Sequence, residues 1–199
     1  ILTVGLVGYL SYLNGRKAVN DAAHTLLAEI SEHMQNHLYS FIKTPQQLNL
    51  LNSKSLQRGF LNAADQDSLE RYFRKQIEVF ESVSSITFGN PKGGIVNSGR
   101  EEAPGSFYVI ASDNFSIGPF RKYSTDDEGK RTELILTADD YDVGKRDWYK
   151  RAVEQGNGVW SDIYVLFTGR DMAIAASRPV YDNDRILLGV VSVELFFPT

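Results

Sequence analysis

The spacing of apolar residues divides the chain into a helical first third and a strand-rich remainder. The opening run ILTVGLVGYLSYL carries no charge, and Asn14, Gly15, Arg16 and Lys17 follow it directly. That run is shorter than the roughly 20 residues that cross a bilayer. Tyr9 and Tyr12 ahead of a basic pair nevertheless have the chemistry of the outer edge of a span. Residues 1–13 are therefore expected to be the end of a transmembrane segment. Beyond Gly15 no Gly or Pro interrupts the chain before Pro45. Val19, Ala23, Leu26, Ile30, His33 and His37 recur on one face, with Leu27, Met34, Leu38 and Phe41 in a row beside it. This predicts a stalk helix over residues 14–44, about 40 Å long at 1.5 Å per residue. Thr44 before Pro45 marks its expected end. One apolar row can pack on the chain's own domain and the other on a second copy, so a homodimer through the stalk is expected.

The segment PQQLNLLNSKSLQRGFLN reads as one or two short helices. Asp65 to Phe80 reads as another, with Leu69, Tyr72, Phe73, Gln76, Ile77 and Phe80 on its inner face. The period then falls to two. SVSSITFGN and GGIVNSGR flank the turn Asn90–Gly94 as a hairpin, and SFYVIASD, IGPFRKYST and KRTELILT supply three more strands. Asp147 to Gln155 is a short helix closed by Gly156. VWSDIYVLFT, MAIAASRPVY and RILLGVVSVELFF complete the chain as strands, the last two joined across Asp182-Asn183-Asp184. A long helix, short helices and then an antiparallel sheet interrupted by one helix predict an α+β fold.

Composition narrows the function more than the fold. The 199 residues are 42% apolar, enough for a packed core without covalent staples. A formal net charge of −4, with no run of Lys and Arg, argues against nucleic acid as a partner. The absence of cysteine excludes disulfides, thiolate nucleophiles, iron–sulfur clusters and cysteine-based zinc sites. His33 and His37 have the i, i+4 spacing of metal ligands but lack a third ligand nearby, and they read as packing residues. Asp139, Asp140 and Asp142 resemble a carboxylate acid–base pair, but their position before a turn reads as solvation and capping. Asn90-Pro91-Lys92-Gly93-Gly94 is a turn and not a phosphate loop. With no nucleophile–base pair, metal set or cofactor motif, neither catalysis nor a cofactor is expected.

Candidate chemistry concentrates in Tyr141-Asp142-Val143-Gly144-Lys145-Arg146-Asp147-Trp148-Tyr149, followed by Tyr164. Arg offers a planar fork of donors suited to a carboxylate. Trp adds an indole N–H, and Tyr adds a hydroxyl on an apolar body. Together they can hold an anionic head group out of water. Arg121 and Arg178, on expected strands, could also face such a pocket.

These residues resemble the dCACHE family, the double-module extracellular sensors of bacterial chemoreceptors, histidine kinases and nucleotide cyclases. In its amino-acid-binding branch a Tyr precedes Arg-x-Trp-Tyr by five positions, matched by Tyr141, Arg146, Trp148 and Tyr149. Tyr164 stands fifteen residues further on, as in the family. The closing strand Gly189-Val190-Val191-Ser192-Val193-Glu194-Leu195 matches the family's Gly-Val-Val-x-x-acid-Leu. The resemblance implies a PAS-like antiparallel sheet, the Cache module. It implies that Arg146 and Trp148 grip a ligand carboxylate, that Tyr141 and Tyr149 wall the pocket and that Tyr164 lies along the amine side. Glu194 stands where the family has an amine-binding Asp, and Leu166 where it often has another. Both departures weaken recognition of an ammonium while leaving the carboxylate clamp intact, and Glu194 could pair with Arg146 in the empty pocket. The expected organisation is a stalk followed by a membrane-distal, ligand-binding Cache module over residues 45–199, with the family's membrane-proximal module absent or truncated. The expected function is extracytoplasmic sensing of a small carboxylate-bearing ligand, such as an amino acid, by a membrane-anchored receptor. The alternative is a structural dimerisation ectodomain with no ligand.

Overall fold

The computed structural model describes residues 2–101, 103, 105–168 and 172–197, without the side chains of residues 2–7, Leu10, Leu13 and His37. The His37 position of the expected apolar row thus lies outside the described residues, as do most side chains of the expected membrane segment. Among the described residues no helix is long and apolar enough to cross a membrane.

The first helix, α1 (Leu2–Gln57), runs uninterrupted through Pro45. The chain divides into two units, 1–42 and 43–199. In the first, Val19, Leu26, Leu27, Ile30, Met34 and Leu38 are all exposed. In the second, the last turns of α1 correct the expected break at Thr44–Pro45. Proline inside a helix costs about 3 kcal/mol through one lost hydrogen bond and a ring clash. Here the turns that follow are anchored by tertiary packing, since Leu48, Asn49, Asn52, Ser53 and Leu56 are buried. Asn52 and Gln76 also exchange reciprocal amide hydrogen bonds of 2.9 and 2.8 Å. Packing outweighs the local penalty. The segment expected to form separate short helices is therefore the end of α1.

Helix α2 (Gln66–Val79) begins where Asp65 accepts the Ser68 N–H at 3.0 Å and buries Leu69, Phe73 and Ile77 at helical spacing. The strands are β1 (Ser85–Gly89), β2 (Ile95–Arg100), β3 (Phe107–Ser112), β4 (Gly118–Thr125) and β5 (Arg131–Tyr141). After α3 (Asp147–Gln155) come β6 (Val159–Trp160), β7 (Tyr164–Val165), β8 (Met172–Tyr181) and β9 (Leu187–Phe197). All are antiparallel in the order β5-β4-β3-β2-β1-β9-β8-β6, with β7 also on β8. The long first helix and this sheet make an α+β, PAS-like fold.

One expected strand, VWSDIYVLFT, is instead two strands of two residues each. The interruption has a local cause at Ser161. Its hydroxyl, rather than a main-chain carbonyl, accepts the Ala175 N–H at 3.0 Å and donates to the Asp162 carbonyl at 2.6 Å. The Ser161 N–H still donates to the Ala175 carbonyl at 2.8 Å, but the return bond of the ladder goes to a side chain, and main-chain pairing breaks off there until Tyr164.

Each face of the sheet carries its own core. Ile86, Phe88, Val96, Val191 and Val193 pack with Leu48, Leu69, Phe73 and Ile77 of the helices. On the other face Ile95, Ile110, Phe120 and Val190 pack with Tyr141, Trp148 and Tyr149. Strands β1 and β9 come close beside Gly189, whose φ is +151°. A Cβ there would lie 2.3 Å from the Gly89 carbonyl oxygen and 2.5 Å from Phe88 Cζ.

Candidate functional site

The segment between β5 and α3 is fixed by its own backbone and caps. Asp142 Oδ1 accepts the Gly144 N–H at 2.9 Å, closing a single 3-10 turn over Val143–Lys145. The Val143 N–H donates to the Gly93 carbonyl at 3.0 Å, tying that turn to the β1–β2 hairpin. Arg146 then starts α3 with its main-chain carbonyl, which accepts from Tyr149 and Lys150. Its guanidinium takes no part in capping and lines a cavity over the sheet.

This cavity has a volume of about 50 Å³. Tyr141, Arg146, Trp148 and Tyr164 form its walls, together with Leu166 and Phe167. Thr87, Asn97 and Glu194 supply polar groups from β1, β2 and β9. Phe120, Tyr141 and Phe167 meet edge-on at 4.9, 5.2 and 5.8 Å between ring centroids, giving one end an aromatic lining. The Arg146 guanidinium carbon lies 5.6 Å from the Phe167 centroid.

Five of the six residues expected at the site thus share one cavity: Tyr141, Arg146, Trp148, Tyr164 and Glu194. Tyr149 does not line it. Consecutive residues on a helix point about 100° apart, so Trp148 and Tyr149 cannot both face the cavity. Tyr149 packs 5.8 Å from the Trp148 ring, and a Cβ on Gly89 would lie 3.2 Å from it. Burial pushes its hydroxyl up to about 12.

Glu194 is buried beneath the cavity and does not pair with Arg146. Among the described residues no carboxylate lies within salt-bridge distance of Arg146. The two oxygens of Glu194 instead accept hydrogen bonds from Ser85 Oγ and the Tyr164 hydroxyl. Burial raises the carboxyl above its ordinary range, against the pull of those two donors and the Arg146 charge. Burial likewise raises the Tyr164 hydroxyl, with Glu194 adding to the effect. Burial also raises Tyr141, opposed by Arg146.

Glu194 therefore predicts a pH dependence. The native state binds its proton more tightly than the unfolded chain, so its contribution to stability falls as pH rises from about 4.3, the unfolded carboxylate value, through the higher folded value. Thermal melting across pH should show Glu194→Gln gaining on the wild type as pH increases through that window. Parallel curves would remove the buried charge from the account.

Of the other candidates, Arg121 pairs with Asp113 and does not line the cavity. Arg178 lies against Gly158, where a Cβ would come within 2.9 Å of its guanidinium. Asp139 and Asp140 are exposed, and Asp142 is the cap already described. No group of three or more metal-ligating side chains occurs among the described residues. Sequence reasoning missed Thr87 and Asn97. Both lie on strands whose polar alternation looks identical whether the polar face meets water or a buried cavity.

The profile of the family described as "Methyl-accepting chemotaxis protein-like, first PDC sensor domain" matches residues 97–199. The ligand-binding domain of the Pseudomonas aeruginosa PAO1 amino acid chemoreceptor PctC, in complex with GABA, is similar in fold. It aligns at 17% identity and a TM-score of 0.51, covering 79% of this chain and 56% of that one. The ligand-binding domain of Mlp24 with asparagine aligns at 19% identity and a TM-score of 0.51, over 90% of this chain and 60% of that one. The chain thus spans somewhat more than half the length of either structure. No curated protein matches it. With an antiparallel sheet, a polar-and-aromatic cavity over one face and a family profile covering its second half, the chain belongs to the methyl-accepting chemotaxis protein-like family of first PDC sensor domains.

Proposed function

We propose that the cavity binds a small zwitterion, with an amino acid as the leading class, and that the chain is the extracytoplasmic sensor of a membrane-anchored receptor. The observation that carries this reading is a cavity with donors and acceptors drawn from different elements. Arg146, unpaired with any carboxylate among the described residues, and the Trp148 indole N–H supply donors from the start of α3. Glu194 supplies a carboxylate from β9. A ligand carboxylate would complete the Arg146 fork, and a ligand ammonium would offset the buried Glu194 charge. GABA and asparagine, the ligands named with the two fold relatives, both carry these two groups.

The residues expected at the ligand keep their roles in this reading, except that Tyr149 supports Trp148 from behind. Residues 45–199 form the membrane-distal Cache module. The exposed apolar rows of α1, Leu26, Ile30 and Met34 among them, are the surface for a second copy. Signalling through that helix requires ligand to bind one receptor arrangement more tightly than the other, since equal affinity transmits nothing.

A thermal-shift panel of the standard amino acids and 4-aminobutanoate tests the reading. Ligand at 100 times its dissociation constant adds about 2.7 kcal/mol. No shift across the panel would leave the structural dimerisation ectodomain in its place.

A further inference from the structure

A buried acceptor in the cavity lining lacks a donor. Asn97 sits mid-strand on β2, directly opposite Thr87 on β1, and is only 4% exposed. Its Nδ2 donates to Thr87 Oγ1 at 2.6 Å. The remaining Oδ1 is buried and accepts no hydrogen bond among the described residues. Buried amide oxygens without a donor are uncommon, because the lost hydration is uncompensated. An apolar residue would fill the same place without that cost, as Ile95 and Ile110 do nearby in the same lining.

The second acceptor is constrained differently. Glu194 already receives one hydroxyl on each oxygen, from Ser85 and Tyr164, and a carboxylate has room for more. A primary ammonium brings three N–H donors and can serve Asn97 and Glu194 together. A trimethylammonium has the charge and no N–H. A deaminated acid has neither.

We propose that Asn97 Oδ1 is a specificity-determining acceptor for the ligand's primary ammonium, shared with Glu194, so that the cavity selects primary-amine zwitterions over their N-trimethylated and deaminated counterparts. This rests on the zwitterion reading of the cavity. It extends the amine end to a residue outside the Tyr141–Tyr149 motif, and it offsets the ammonium acceptor lost where Leu166 stands. Rejection comes from the unpaired amide, since a site built around a hydrogen bond discriminates strongly against a ligand that lacks the donor.

The test is titration calorimetry on the whole chain. The probes are the standard primary-amine amino acids and 4-aminobutanoate, each beside its N,N,N-trimethyl and deaminated counterparts. For every amino acid that binds, Asn97→Leu should weaken binding by roughly 10- to 100-fold. Asn97→Asp, which keeps an oxygen in place, should retain it. Trimethylated probes should bind the wild type more weakly and be indifferent to Asn97→Leu, a split that a merely structural role would not produce. Melting curves of the unliganded variants report folding. If Asn97→Leu does not fold, Thr87→Val carries the test, because it frees the amide to rotate and should weaken only the primary amines. Undiminished amino-acid binding by Asn97→Leu, or trimethylated probes binding as tightly as their parents, would overturn the proposal. Loss of binding in Arg146→Ala without loss in Asn97→Leu sinks this proposal alone. Absence of binding to the wild type by every amino acid sinks the zwitterion reading and this proposal with it.

Discussion

Arg146→Ala is expected to weaken binding of a carboxylate-bearing ligand by roughly 30-fold or more while leaving the melting temperature of the free protein nearly unchanged. Truncating one partner of a hydrogen-bonded charge pair at a binding site costs about 2–5 kcal/mol, and part of that cost is the other charge left unpaired. The fold should tolerate the change because the structural work of Arg146 is done by its backbone. Its carbonyl accepts from the Tyr149 and Lys150 N–H groups at 3.1 and 3.0 Å, and alanine keeps both bonds. The guanidinium makes no ion pair among the described residues, and its ring contact is a distant 5.6 Å from Phe167. Arg146→Lys should recover only part of the affinity, since an ammonium restores the charge without the planar fork. Calorimetry with the best-binding amino acid decides the matter. Affinity within a few-fold of the wild type in Arg146→Ala would place the carboxylate elsewhere.

The largest stability effect is expected from Phe73→Ala, at about 3–5 kcal/mol. Phe73 is fully buried on α2, within the core that joins Leu69 and Ile77 to Ile86, Val96 and Val193 of the sheet. Its neighbours are held on two different elements, so they cannot close together over the space a phenyl ring leaves. The loss is a large share of the 5–15 kcal/mol that typically holds a domain folded. Phe60, 80% exposed in the turn after α1, provides the contrast. Phe60→Ala should change stability by no more than about 0.5 kcal/mol. Denaturant unfolding of both variants measures the difference. A Phe73→Ala loss as small as that of Phe60→Ala would mean the helix-side core is not the main source of stability.

Local signals were sufficient wherever one element decided its own fate. Asp65 before an apolar 3.6-residue period located α2, the Asn90–Gly94 turn located the first hairpin, and Gly156 closed α3 in the left-handed conformation its φ of +63° requires. They failed where a distant partner decided. Nothing adjacent to Pro45 reveals that Asn52 and Gln76 will hold the next turns in place. Nothing within VWSDIYVLFT shows that the Ser161 hydroxyl will replace a main-chain carbonyl at Ala175. The site divides in the same way. Arg146, Trp148 and Tyr141 were legible because they cluster in one segment, whereas Thr87 and Asn97 enter from central strands and become neighbours only through the register of the hairpin. The pairing open to Glu194 and Arg146 lost to two nearer hydroxyls, Ser85 and Tyr164, which lie far from Glu194 in the chain.

The two-faced sheet has a consequence for how such sensors diverge. Along β1, Ile86 and Phe88 answer to the helices, whereas Ser85 and Thr87 answer to the cavity side. β9 repeats the division, with Val191 and Val193 on one side and Val190 and Glu194 on the other. Because side chains alternate strictly along a strand, mutation at one parity leaves the opposite face nearly untouched. The cavity lining can therefore change by substitution at one parity while the helix-side core is kept by a separate set of codons. A combinatorial library confined to Thr87, Asn97, Leu166 and Glu194 would vary the cavity lining while leaving the helix-side core of Ile86, Phe88, Val191 and Val193 intact.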